Sequence, residues 1–273
     1  MTPDGIPRRI LALGGGGFTG SIEDSALDEF VVSLGVRARP RVCLLPTAGG
    51  DAQEQIDRFY RAFAPLGCEL SCVSLFRLSG SSLDLREHLL SRDVIYVAGG
   101  SMLNLLALWR VHEVDSLLEE AWRRGVALCG VSAGTMCWFE AGITRARGAP
   151  GPAAGLGLLP GSASVHDGSD PTRRAAYREA VAGGMPAGYA IEDGVGLLFA
   201  GRALAEAVTC RPGAVAHRVE VENGKLVESP IEPRLLPQEP GPTVPEPLAI
   251  SEFREAQRRS RSRRNSLRSI PPV

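Results

Sequence analysis

Val126-Ala127-Leu128-Cys129-Gly130-Val131-Ser132-Ala133-Gly134 joins an apolar run to a Gly-x-Ser-x-Gly pentad, and Thr135-Met136-Cys137-Trp138-Phe139 follows as an apolar segment suited to a buried helix. A strand that delivers a serine into a tight turn before a helix is the setting of a nucleophile elbow. Small residues flank the serine because the turn is tight and its backbone strained. The Oγ then stands above the sheet, and the amide of Ala133 at the helix start can face an oxyanion. Without that setting, the same residues make a plain strand-to-helix turn.

Working outward, residues 8–142 alternate strand-like and helix-like segments. Ile10–Leu13, Val42–Leu45, Leu70–Leu75 and Val94–Ala98 read as strands. Leu27, Phe30, Val31 and Leu34 mark a helix face at i, i+3, i+4, i+7, closed by Gly35. Asp51 with Glu54 has capping-box spacing at the start of another helix. Leu83–Leu90, Leu103–Trp109 and Val114–Arg124 also read as helical. This alternation predicts a flavodoxin-like three-layer α/β/α fold with a mostly parallel central sheet. The site then belongs at the carboxyl ends of the strands.

After residue 142 glycine and proline become frequent and C-terminal β-hairpins are expected. Gly194–Phe199 and Ala203–Val208 flank a tight turn, and Val219–Val221 and Lys225–Val227 flank Asn223-Gly224. Residues 229–247 hold seven of the 20 prolines. The division is an α/β domain over 1–228, a stiff Pro-rich linker over 229–250 and an Arg/Ser-rich tail over 251–273. The tail has seven Arg against two acids. Its run Arg258–Ser266 has nothing apolar to fold it and no interleaved aromatics, so it reads as a solvated, disordered arm, not a nucleic-acid contact.

Composition excludes several classes. Of 273 residues, 44% are hydrophobic and 22% charged, with a net charge of -1, which suits a globular chain and is too apolar for a disordered one. The longest uncharged apolar stretch, Val94–Trp109, is broken by Gly99, Gly100, Ser101 and Asn104 and is too short to span a bilayer. The apolar run after Arg8-Arg9 is too short for a secretory signal. Six cysteines without zinc-site spacing fit reduced core thiols, so a cytoplasmic location is expected.

A serine nucleophile needs a base. Of the four histidines, His88 falls on a surface helix, His112 between helices and His217 in a short strand, where packing accounts for them. His166 ends the strand-like Ser162–Val165 and precedes Asp167-Gly168, where a strand gives way to a loop. Gly99-Gly100, after another strand, can supply the second oxyanion amide or make an ordinary turn. Gly15-x-Gly17-x-x-Gly20 matches a dinucleotide fingerprint literally, but the next strand ends in Pro46-Thr47 instead of a ribose-binding acid.

Leu11–Gly17, Leu44–Ala48, Ile95–Gly100, Gly130–Gly134, Cys137–Gly142 and Gly155–Leu159 with His166 beyond resemble, in order and over about residues 8–210, the peptidase E family of serine peptidases. That family is similar in fold to class I glutamine amidotransferases and includes aspartyl dipeptidases and, more distantly, cyanophycinases. The resemblance implies Ser132 as nucleophile, His166 as base, and the amides of Gly100 and Ala133 as the oxyanion hole. The third member is less direct. Where peptidase E carries an Asp after the serine, this chain reads Gly142-Ile143-Thr144-Arg145, and a cation there cannot hold an imidazolium. Cyanophycinases take an acid from a pair downstream of the histidine, which Glu192-Asp193 resembles. Glu192 is the first candidate and Asp193 the second. Arg173 and Arg174 lie, at a shorter spacing, in a stretch comparable to the one where the family binds an N-terminal aspartyl side chain, although the exposed face of a helix over Thr172–Val181 accounts better for at least one of them.

The expected activity is hydrolysis of a small peptide, with an acidic N-terminal residue, through an acyl-enzyme and without cofactor or metal. Two alternatives stay open: a catalytically silent binding member of the same fold, because of Arg145, and a nucleotide-binding oxidoreductase built on Gly15–Gly20. The sequence leaves monomer and homodimer open.

Overall fold

A computed structural model of the chain describes residues 7–20, 24–78, 83–145 and 147–237. Its elements are β1 (Arg9–Leu13), α1 (Ser25–Ser33), β2 (Arg41–Leu45), α2 (Gln53–Phe63), β3 (Glu69–Cys72), α3 (Leu85–Leu90), β4 (Val94–Val97), α4 (Met102–Val111), α5 (Val114–Arg123), β5 (Ala127–Val131), α6 (Ala133–Met136), β6 (Phe139–Thr144), β7 (Gly151–Ala154), β8 (Leu159–Val165), α7 (Pro171–Ala182), β9 (Gly188–Ile191), β10 (Val195–Ala200), β11 (Ala203–Thr209), β12 (Ala216–Glu222), β13 (Lys225–Ile231) and β14 (Arg234–Leu235).

An eight-stranded sheet runs β14-β11-β10-β1-β5-β4-β2-β3. Its heart, β1-β5-β4-β2-β3, is parallel throughout, and β10 joins β1 antiparallel. The side chains explain the layers. Ile10, Cys43, Ile95 and Leu128 pack with Leu105, Trp109, Leu118 and Trp122 of α4 and α5. Their strand neighbours Leu11, Val42, Val94 and Cys129 pack with Leu27, Val31, Phe59 and Phe63 of α1 and α2. Alternate residues of each strand thus feed opposite cores, which requires helices on both faces. Each fully buried Leu, Ile or Val contributes roughly 1.5–3 kcal/mol, so the central strands are held chiefly by this two-sided burial. Among the described residues no helix is long and apolar enough to cross a membrane.

A second sheet of six strands, β13-β12-β9-β8-β6-β7, is more than the expected hairpins. It joins the first core through Phe139, Leu159 and Val165, with Phe139 packed edge-on against Phe199. Its other face receives α7 over Ile143, Tyr177, Val181 and Val219. The hairpin at Asn223-Gly224 is as expected: Glu222 pairs Lys225, and both turn residues have positive φ.

Three local expectations change. The helix after Ser132 ends at Met136, because Phe139 already pairs Leu159 in the second sheet. Asp51 does not cap α2. It has φ 55°, and its carboxylate accepts from the Ser74 hydroxyl (2.6 Å) and the Phe76 amide (3.2 Å). The linker does not begin at 229. Residues 229–231 complete β13, an edge strand that tolerates Pro230, and Arg234-Leu235 pairs with Val208-Thr209. The described residues all fall in one compact unit, Met1–Gln238. The rest of the Pro-rich segment and the Arg/Ser tail lie outside them.

Candidate active site

The site is built at the carboxyl ends of β1, β4 and β5, where parallel sheets leave their loops. Ser132 follows β5 with φ 56° and ψ −113°, a conformation that costs a non-glycine residue about 1–3 kcal/mol. Close packing imposes it. A Cβ on Gly130 would lie 2.0 Å from the Gly134 carbonyl oxygen, and one on Gly134 would lie 2.3 Å from that of Val97. The Ser132 amide donates to the Leu13 carbonyl at 3.3 Å, and the Thr135 hydroxyl lies 2.6 Å from both the Leu13 and Gly130 carbonyls. The turn is thereby pinned to β1.

His166 follows β8, also with positive φ (58°). Its Nε2 lies 3.0 Å from Ser132 Oγ, and its Nδ1 lies 2.5 Å from Asp193 Oδ1. The other Asp193 oxygen accepts from the Ser169 hydroxyl at 2.6 Å. Burial opposes ionisation of Asp193, but the hydrogen bonds from His166 and Ser169, with the charge of Arg211, prevail and lower its pKa. The structure thus puts the second candidate acid behind the imidazole. Glu192 turns the other way: its Oε2 accepts from the Val215 amide at 3.2 Å, and its stem fills the space beside Gly168. Successive residues at the end of β9 point to opposite sides, so only one can reach the ring.

Gly100 has φ 147°, and a Cβ there would lie 2.1 Å from the Ala48 carbonyl oxygen. A Cβ on Gly99 would lie 3.2 Å from that of Ser132, so the glycine pair lets the β4 loop approach the serine. Among the described residues no acceptor takes the amides of Gly100 and Ala133, and both Gly100 and Ser132 line the same two cavities.

The arginines divide. Arg173 is buried and, with Arg145, lines a cavity of ≈ 240 Å³ that opens on Ser132. Arg174 is turned outward and only approaches Asp167, at 3.9 Å. Arg145 does not confront His166. It donates in parallel to both oxygens of Asp170 (2.9 and 2.6 Å), while Arg173 Nε reaches Asp170 at 3.3 Å. The Arg145 hydrogen bonds hold the Asp170 carboxyl well below its ordinary range. The other histidines lie apart. His88 is drawn inward to Ser71 (3.2 Å), not left on the surface, and burial lowers its pKa.

The glycine run after β1 serves this site. A Cβ on Gly15 would strike Asp193 Oδ1 at 2.1 Å, one on Gly17 Asp28 Oδ1 at 2.6 Å, and one on Gly20 Asp24 Oδ2 at 2.0 Å. Three carboxyl groups thus crowd the loop, and it enters a 3₁₀ turn at Gly17–Thr19 instead of opening a long helix. These carboxyl groups fill the space against the loop that a pyrophosphate would need, which speaks against the dinucleotide reading.

Two residues escaped the sequence reading. Arg211 and Gln55 line, with Ser132, His166 and Asp193, a second cavity of ≈ 390 Å³. Arg211 follows β11 at a place without a motif, and no local signal marks it.

The chain matches the model of peptidase family S51 over residues 10–206. It is 41% identical over 225 residues to a protein of Bacillus subtilis (strain 168) named "Uncharacterized peptidase YgaJ", covering 82% of this chain and 97% of the relative. In structure it is similar to a peptidase from an acI-B1 Actinobacterium, with a TM-score of 0.64 and 17% identity, covering 84% of this chain and 95% of the other. It is also similar to a putative peptidase E protein from Listeria monocytogenes EGD-e, with a TM-score of 0.54 and 16% identity, covering 72% and 96%.

Proposed function

Because the chain belongs to peptidase family S51 and is a serine-type peptidase, we propose that Ser132, His166 and Asp193 are its catalytic triad and that it hydrolyses small peptides with an acidic N-terminal residue. The observation that carries this is the continuous line Ser132 Oγ–His166 Nε2 (3.0 Å) and His166 Nδ1–Asp193 Oδ1 (2.5 Å).

His166 Nε2 takes the Ser132 proton as Oγ attacks the scissile carbonyl. Asp193, ionised, accepts from Nδ1–H and stabilises the imidazolium without taking the proton. The amides of Gly100 and Ala133 face the developing oxyanion. The imidazolium hands its proton to the leaving amine, and water, activated by the same ring, releases the acyl group. Arg173, with Arg145 beside it, gives the smaller cavity a cationic wall suited to a carboxylate side chain. The silent-member alternative rests on Arg145, but that guanidinium is engaged by Asp170 and Thr172, and Asp193 lies within hydrogen-bond distance of His166 Nδ1, which favours the active reading.

A fluorophosphonate probe should label the wild type on Ser132 and leave Ser132→Ala unlabelled. Asp-X dipeptides should be hydrolysed by the wild type with at least about a thousandfold loss in the variant. Equal rates for the two proteins would overturn the assignment.

A further inference from the structure

Two cavities meet at Ser132, and they differ in one respect that fixes the direction of the substrate. The larger is lined by His166, Asp193, Thr19, Gln55 and Arg211, whereas the smaller, with Arg145 and Arg173, lacks His166. The ring that receives the Ser132 proton must deliver it to the leaving nitrogen, so the leaving group lies on the imidazole side. The larger cavity therefore takes the leaving half of the substrate and the smaller one the acyl half.

Arg211 presents unused donors to that larger cavity. Its Nε and Nη2 donate to Asp24 Oδ1 (2.8 Å) and Oδ2 (2.7 Å), and Asp24 is fully buried. This bidentate clasp fixes the plane of the guanidinium. It uses two of its five N–H groups and leaves Nη1 without a partner among the described residues. Gln55 lines the same cavity, but its amide is turned to the protein: Nε2 donates to the Gly99 carbonyl at 3.3 Å and Oε1 is buried against Gly49.

We propose that Arg211 binds the free α-carboxylate of the leaving residue, so that the larger cavity selects a short peptide ending there. This rests on the serine-peptidase reading of Ser132 and His166. Asp24 is a positioning residue in it, acting only through Arg211. No bond beyond those of ordinary peptide hydrolysis is made or broken.

The test compares Asp-Leu with its C-terminal amide, and Ala-Leu with its amide, on wild type, Ser132→Ala, Arg211→Lys and Arg211→Gln. The wild type should favour the free acid over the amide by about tenfold to hundredfold in kcat/KM, mainly through KM, as for a lost hydrogen bond to a charged group. The Arg211 variants should narrow that ratio. Because Arg211→Gln strands the buried Asp24 charge and can unfold the protein, the acid-to-amide ratio of the wild type is decisive by itself. Equal, Ser132-dependent rates for acid and amide would overturn the inference and leave the peptidase reading intact. Absence of any Ser132-dependent cleavage would overturn both.

Discussion

Glu192 and Asp193 are adjacent, but only Asp193 can serve the imidazole, because the chain leaving β9 turns one toward His166 and the other toward Val215. Asp193→Asn should lower kcat by roughly 10³–10⁴, as loss of the acid leaves the ring in the wrong tautomer. Glu192→Gln keeps an acceptor for the Val215 amide and should change kcat less than about threefold. Steady-state kinetics on one substrate distinguishes the two. Ser132 and His166 were legible in the sequence because each is marked locally, one by a glycine-flanked turn and the other by the end of a strand. The choice between the two acids depends on where β9 stops to within one residue, which composition does not encode. Arg145 was misleading for a similar reason: its charge looked like a lost acid, while its side chain is committed to Asp170.

The elements of the central sheet were legible because they are continuous apolar runs alternating with amphipathic helices. Of the second sheet, only the β12–β13 hairpin and the end of β8 were. β6, β7 and β8 are rich in Gly, Ala and Pro, and β6 pairs in parallel with β8, its neighbour in the sheet, although β7 comes between them in sequence. Such pairing leaves no period in the sequence. Helix α1 illustrates a different cost. Asp28 sits inside it, buried under the glycine loop, with its carboxyl oxygen 3.1 Å from the Phe18 amide. Burial pushes the Asp28 pKa up to about 8, against the pull of the Phe18 amide and with help from Asp24 and Glu29. The unfolded carboxyl titrates near about 3.9. Between those two values the unfolded chain is ionised while the folded one keeps its proton, so stability falls as pH rises across that window. Asp28→Asn does not ionise in either state. Its advantage over the wild type should grow between pH 5 and pH 8 by on the order of a few kcal/mol, read from urea midpoints at the two pH values.

For the molecule as a whole, the loop carrying His166 is tied to the second sheet by charge. Arg178 of α7 donates to both oxygens of the fully buried Asp167 (2.6 and 3.1 Å) and also holds Glu228 of β13. Arg178→Met should destabilise the fold by about 3 kcal/mol by leaving the buried Asp167 charge to Arg174 alone, 3.9 Å away, and adding Asp167→Asn should recover part of that loss in chemical denaturation. A further consequence concerns the amides assigned to the oxyanion. Gly100 and Ala133 follow β4 and β5, neighbouring strands held in register at Val97 and Gly130. Adjacent strands lie about 4.8 Å apart wherever a ladder forms. The gauge of that anion cradle is thus set by the backbone lattice, out of reach of side-chain drift. A change of residue in the cavity walls would therefore leave the spacing of the two proposed amides as it is.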